Sequence, residues 1–270
     1  MLSRTIAISM IVLLAGMIFY CSDDNDNGTN IVTGDDLTAD HLTAIAFTDI
    51  PDEYIELAKT EFNIFYVHTS HGSQIISGMG LLEDESDLYS FNNGDSSLTI
   101  TEYSDDLGYD SDTSWVPITR QYLEANGSEI NMVMWSWCGG VSSNSESGIN
   151  VYLNKVNELE QDYPNVKFIY MTGHLDGTGM DGILYQRNNQ IRQFCNDYDK
   201  ILFDFADIES YDPDGNYYPD ASDACEWCED WCASHDCLSC DCAHSHSFNC
   251  YQKGKAFWWL LARIAGWSGD

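Results

Sequence analysis

Four short apolar runs recur along this chain, each followed by small, polar or histidine-rich residues. They are Ile64-Phe65-Tyr66-Val67, Met132-Val133-Met134-Trp135, Val166 to Met171 and Ile201 to Phe205. Runs of this length without polar alternation read as strands buried on both faces. The segments between them have helical spacing. Tyr54, Ile55, Leu57 and Ala58 mark one helix within Asp52 to Phe62, and Trp115 to Ala125 reads as a second. Ile149, Leu153, Val156 and Leu159 mark a third, which stops before Tyr163-Pro164. Ile183 to Tyr198 reads as a fourth, and Phe257 to Trp267 closes the chain as an apolar helix. Strands alternating with helices predict an α/β fold of three layers, a mainly parallel sheet flanked by helices. Residues 84–114 are acidic and Ser/Gly-rich and read as a long surface excursion.

The first residues read as an address. Arg4 precedes an apolar run from Ile6 to Tyr20, broken only by Ser9 and Gly16. That run is short for a membrane span and has the length of a signal-peptide core. Cys21 follows it, ahead of the polar stretch Ser22-Asp23-Asp24-Asn25-Asp26. A cysteine in that position resembles a bacterial lipoprotein signal, which implies a lipid anchor at the membrane. The expected organisation is a signal peptide over 1–21, a polar linker over 22–40 and one α/β domain over 41–270. That domain carries a Cys-rich loop over 225–250, before the last helix.

Charge and cysteines narrow the partners. The formal charge is −33, from 44 acidic and 11 basic residues. Such a surface repels nucleic acid and draws cations. Of ten cysteines, seven fall between Cys225 and Cys250. In an exported chain such density predicts disulfides. The alternative is a zinc knuckle through Cys225-x-x-Cys228 and Cys237-x-x-Cys240. Setting Cys21 aside, the count is odd, and Cys138 and Cys195 outside the cluster are the candidates for an unpaired thiol.

Ligands of parallel sheets bind beyond the carboxyl ends of the strands. The residues there are His68-Thr69-Ser70-His71-Gly72, Ser136-Trp137-Cys138-Gly139-Gly140, Thr172-Gly173-His174-Leu175-Asp176-Gly177 and Ala206-Asp207. Ser70 sits at a strand-to-helix turn, where the N–H groups of His71 and Gly72 are candidate oxyanion donors. Near the C-terminus, Asp241-Cys242-Ala243-His244 supplies an acid and an imidazole just before the last helix. A literal Gly94-Asp95-Ser96-Ser97 follows no apolar strand and reads as a turn.

A serine after the first strand, a Gly-containing turn after a middle strand and a late Asp-x-x-His resemble the SGNH/GDSL hydrolase superfamily over roughly residues 60–266. The family's Gly-Asp-Ser block aligns with His68-Thr69-Ser70, and its Asn-containing block falls at Trp137-Cys138-Gly139-Gly140, without an Asn. The resemblance implies a flavodoxin-like or SGNH-like sheet and ester hydrolysis. It makes Ser70 the nucleophile, His244 the base and Asp241 its partner, with no cofactor. N–H groups near His71, Gly72, Cys138 and Gly139 would hold the oxyanion, and His174 could donate to it. The strings MWSWCGG, YMTGHLDG and CDCAHSHSFNC also resemble a group of exported bacterial proteins, a likeness that implies no activity.

Other readings stand beside this one. His68, His71, His174, Asp176, His244 and His246 could converge on a transition metal such as Zn²⁺ and support metal-dependent hydrolysis. Asp212, Asp214, Asn216, Asp220 and Asp223 have the spacing of a Ca²⁺ loop. A non-catalytic extracellular binding protein is the third class. The favoured expectation is an exported serine hydrolase acting on a small-molecule or polysaccharide ester, secreted or held at the cell surface.

Overall fold

Each of the four apolar runs is a strand in the computed structural model, which describes residues 37–269. The expected signal segment 1–21, Cys21 and most of the 22–40 linker lie outside the described residues. The strands are β1 (Thr38–Ala39), β2 (Asn63–His68), β3 (Thr99–Ser104), β4 (Met132–Trp135), β5 (Lys167–Met171) and β6 (Ile201–Phe203). They form one sheet in the order β1-β6-β5-β4-β2-β3, and every neighbouring pair is parallel. The helices are α1 (His41–Ala46), α2 (Asp52–Glu61), α3 (Ser73–Glu85), α4 (Trp115–Asn126), α5 (Glu146–Asp162), α6 (Ile183–Asp197), α7 (Phe205–Ser210), α8 (Glu226–Cys232) and α9 (Ser247–Ile264). The expected α/β architecture is the one observed.

The central strands are apolar because both faces are covered. All four residues of β4 are buried, as are Ile64 to Val67 in β2. Helix α9 packs against α1, α2 and α3, and α5 packs against α6. Trp115 of α4 meets Tyr152 of α5 and Trp135 of β4. Helix α5 follows from its sequence. The Ser145 hydroxyl caps it by accepting from Gly148 N–H at 3.1 Å, and Ile149, Tyr152, Leu153, Val156 and Leu159 are its buried stripe.

Several boundaries differ from the sequence expectation. The 84–114 stretch contains edge strand β3, whose Ile100 is buried while most of its other residues face solvent. Thr38 and Ala39, read as linker, pair with Leu202 and Phe203 at the opposite edge. The fourth run ends at Phe203, because Asp204 turns to cap α7 through Asp207 N–H at 3.2 Å. The last helix begins at Ser247 instead of Phe257.

That helix is fixed against α3 by two glycines. A Cβ on Gly254 would lie 2.4 Å from the Gly78 carbonyl carbon, and one on Gly78 would lie 1.8 Å from the Cys250 oxygen. The backbones can touch only without side chains. Gly254→Ala is expected to force the helices apart and lower unfolding free energy by about 1–3 kcal/mol, read from denaturant or thermal unfolding.

The cysteine cluster forms disulfides: Cys225–Cys228, Cys232–Cys237 and Cys242–Cys250. The zinc knuckle is thereby displaced, since Cys225, Cys228 and Cys237 are held in disulfides and only Cys240 of its four thiols is free. Cys138, Cys195 and Cys240 are free. Cys225 and Cys228 share a small apolar cluster with Trp227 and Phe248. Among the described residues, no helix is long and apolar enough to cross a membrane.

At the start of the domain, the Asp40 carboxylate caps α1 by accepting from Thr43 N–H at 3.0 Å. Burial, followed by the charge of Asp207, raises its pKa to about 6. Thr43 N–H and His41 oppose the rise, and Asp204 adds to it. The folded state therefore holds a proton that the unfolded chain releases near the ordinary aspartate value of 3.8. Stability is full below that value and falls as pH rises through about 6. Asp40→Asn keeps the cap and removes this loss. It is expected to stabilise the protein by about 1–3 kcal/mol at pH 7 and to be nearly neutral at pH 4, read from unfolding curves at the two pH values.

Candidate active site

Five of the strands run β3-β2-β4-β5-β6, a doubly wound order whose direction reverses between β2 and β4. In such sheets the crevice beyond that switch point is the ligand site. The loop leaving β2 carries Ser70 and His71, and the loop leaving β4 carries Cys138. Because β2 and β4 are neighbours, these side chains meet. Gly72 permits it, since a Cβ there would lie 2.3 Å from Ser136 Oγ and 2.4 Å from His68 Cβ.

A hydrogen-bonded chain runs through the crevice. His71 Nδ1 lies 3.1 Å from Cys138 Sγ, and His71 Nε2 lies 2.9 Å from Asp223 Oδ2. The carboxylate accepts, so Nε2 carries the ring proton and Nδ1 turns its lone pair to the thiol. Burial, then the neighbouring His174, push the His71 imidazole down to about 4. Asp223 opposes this and His244 adds to it. His71 is therefore neutral at pH 7. Its ring stacks on His174 at 3.8 Å and on His244 at 4.6 Å, which fixes its plane. The Ser70 hydroxyl is 3.2 Å from the same sulfur. Among the described residues, no protein acceptor takes the N–H groups of Ser70, His71 or Gly72, which lie in the turn entering α3. Orphan donors at a helix start favour negative charge nearby.

A buried ionic network lies beneath these loops. Lys253 Nζ donates to Glu209 Oε1 at 2.6 Å and to Gln74 Oε1, and both members of the ion pair are fully buried. Glu209 Oε2 accepts from Leu175 N–H at 2.7 Å, and Gln74 Nε2 donates to Ala243 O at 2.6 Å. Trp227 Nε1 donates to the Glu209 carbonyl at 2.9 Å. Residues adjacent to His174 and His244 thus hang from one network. Burial pulls the Lys253 ammonium pKa down while Glu209 holds it up.

The expected Ser70–His244–Asp241 relay is not hydrogen-bonded in this arrangement. Ser70 Oγ is bonded to Cys138, and His244 contacts the relay by stacking on His71. Asp241 is exposed, and its carbonyl, not its carboxylate, accepts from Ser77 Oγ at 2.9 Å. His71, Gly72, Cys138 and His174 do converge, and Gly139 follows the thiol directly. The wider metal set separates. His68 Nε2 bonds Glu102 at 2.9 Å, Asp176 caps Thr178 N–H at 3.0 Å, and His246 Nδ1 accepts from Phe248 N–H at 3.1 Å. Among the described residues, the one cluster of metal-type side chains is His71, His174 and Asp223, with ligand atoms within 4.8 Å of one another.

The expected Ca²⁺ loop divides as well. Asp212 accepts from Asp214 N–H, Asn216 N–H, Asn216 Nδ2 and Tyr218 OH, so its oxygens serve the turn itself. Those four donors hold the Asp212 pKa below the usual carboxylate range, although burial opposes them. Asp223 turns away to His71. Sequence reasoning placed Asp223 in that loop and missed it as the imidazole's partner, because no local spacing links residues 152 positions apart.

A cavity of about 220 Å³ is lined in part by Leu175, Tyr185, Arg192, Tyr211 and Tyr217, and Asp176 and Leu184 line both it and the small hollow against His174. No family model, curated protein or solved structure matches this chain.

Proposed function

We propose that this chain is an acyl hydrolase acting outside the cytoplasm, with Cys138 as nucleophile, His71 as base and Asp223 as the group that orients the base. The observation that carries the reading is the unbroken hydrogen-bond chain from Cys138 Sγ through His71 to Asp223. A thiol needs a base to become the reactive thiolate, and the base needs a partner that fixes its tautomer. In the reaction the S–H proton passes to His71 Nδ1 and the sulfur attacks the ester carbonyl carbon. The resulting oxyanion lies near the N–H groups of Ser70, His71 and Gly72. Collapse expels the alcohol, which takes the proton from His71 and leaves a thioester. Water, deprotonated by His71, then hydrolyses the thioester and releases the acid.

The disulfides favour an oxidising, extracellular setting, in keeping with the signal-like N-terminus and the Cys21 anchor that it implies. The acidic surface favours an uncharged small-molecule or polysaccharide ester over nucleic acid. The cavity lined by Leu175, Asp176 and Tyr185 is the place for such a substrate's non-reacting part.

A second reading keeps Ser70 as nucleophile, as the SGNH likeness implies. Its support is that Ser70 Oγ lies 3.2 Å from the same sulfur and that His244 stacks on His71. Mass spectrometry of protein quenched during p-nitrophenyl acetate hydrolysis separates the two. Acetyl on Cys138 is the expected result. Acetyl on Ser70, with Cys138 unmodified, contradicts the thiol reading.

A further inference from the structure

We propose that His71, His174 and Asp223 bind a divalent transition-metal ion of the zinc class, and that the bound ion switches the thiol relay off. Two imidazoles and a carboxylate are a donor set that Zn²⁺ takes readily, with a solvent molecule completing four-coordination. His71 Nε2 and Asp223 Oδ2 are 2.9 Å apart, and all three ligand atoms lie within 4.8 Å of one another. Zinc bonds of about 2.0–2.1 Å place tetrahedral ligands about 3.3 Å apart, so the site closes when the His174 ring turns out of its stack on His71 and the ligand atoms draw together.

A second feature prepares His174 for this role. Its Nδ1 lies 2.7 Å from Leu175 O, so Nδ1 carries the ring proton and Nε2 keeps a free lone pair. Metal-binding histidines are oriented in this way, by a second hydrogen bond from the other nitrogen. Leu175 is itself held by the buried Glu209 carboxylate. The His71 ring also stacks on His244 at 4.6 Å, a contact that holds it while His174 turns to bring its Nε2 lone pair to the same ion. The formal charge of −33 raises the local cation concentration.

The switching part rests on the proposed relay. An ion on His71 Nε2 displaces the proton that this atom carries in the relay, so the neutral ring's one proton must sit on Nδ1 instead. Nδ1 is the atom facing Cys138 Sγ at 3.1 Å. It then donates to the sulfur and has no lone pair to receive the thiol proton. Asp223 is drawn to the ion at the same time.

Isothermal titration of the full chain with Zn²⁺ tests the site, with circular dichroism to confirm that each variant folds. One equivalent bound by the wild type, and affinity weakened by about 100-fold or more in His174→Ala and in Asp223→Asn, is the expected result. No binding, or equal binding by His174→Ala, overturns the site. Wild-type p-nitrophenyl acetate hydrolysis tests the switch. A fall of about 100-fold at one equivalent, restored by EDTA, is expected from loss of the base. Stoichiometric binding with unchanged hydrolysis overturns the switch. A protein that binds Zn²⁺ as expected but hydrolyses nothing without it refutes the relay and leaves the metal site standing.

Discussion

Cys138→Ala is expected to lower ester hydrolysis by about 10⁴-fold or more, while leaving the unfolding midpoint close to that of the wild type. The magnitude follows from removing a nucleophile whose base and orienting group then have nothing to act on. The fold is spared because Cys138 lies half-buried at a loop end and is not part of the hydrophobic core. Ser70→Ala is the informative companion. In the thiol reading, Ser70 contributes one hydrogen bond to the sulfur, and its loss costs about tenfold. In the serine reading the two magnitudes exchange places. Steady-state kinetics on p-nitrophenyl acetate, with both variants checked by thermal unfolding, gives the ordering directly.

Lys253→Met is expected to destabilise the protein by about 3–5 kcal/mol, because it leaves the Glu209 carboxylate buried and uncompensated. In a domain of this size that is a fall in Tm of roughly 10 °C. Lys253 is wholly buried between Glu209, Gln74 and the face of Phe205, whose ring centroid is 3.8 Å from its Nζ. Adding Glu209→Gln to Lys253→Met is expected to recover part of the loss. A neutral amide oxygen still accepts from Leu175 N–H, and no buried charge remains. The single variant's Tm and that of the double variant, measured by calorimetry, settle both expectations. If the single variant melts within 2 °C of the wild type, taken as about the effect of 1 kcal/mol or less, the network does not hold these loops.

The central strands were legible because burial on both faces writes an uninterrupted apolar run, as in Met132 to Trp135. Edge strands leave no such mark. In Thr99–Ser104, Ile100 alone is buried, so the segment looked like the polar loops around it. The last helix was read ten residues short for a related reason. Its first half buries Asn249 and Lys253, polar residues that interrupt the apolar stripe because they serve the Glu209 network. A helix patterned for a buried polar network does not show the usual amphipathic period.

At the site, the strand-end rule located His71, Cys138 and His174 from sequence, since each directly follows an apolar run. The roles were less legible. Which imidazole meets the thiol depends on β2 and β4 being neighbours in the sheet, a long-range pairing that local pattern does not encode. Asp223 reaches His71 only because its loop is tied down nearby. Gly177 N–H donates to Ala221 O at 3.2 Å, Cys225–Cys228 closes the next turn, and Ser222 is held by Glu226. The odd cysteine count did carry a signal, since it marked Cys138 as a candidate free thiol, and Cys138 is free.

Whether His71 activates the Cys138 thiol is read from the rate of Cys138 alkylation by iodoacetamide at pH 7. Alkylation of Cys138 well ahead of the other half-buried thiol, Cys240, and a slowing of about tenfold or more in His71→Ala are expected. Equal rates at Cys138 and Cys240, or a Cys138 rate unchanged by His71→Ala, would contradict that activation.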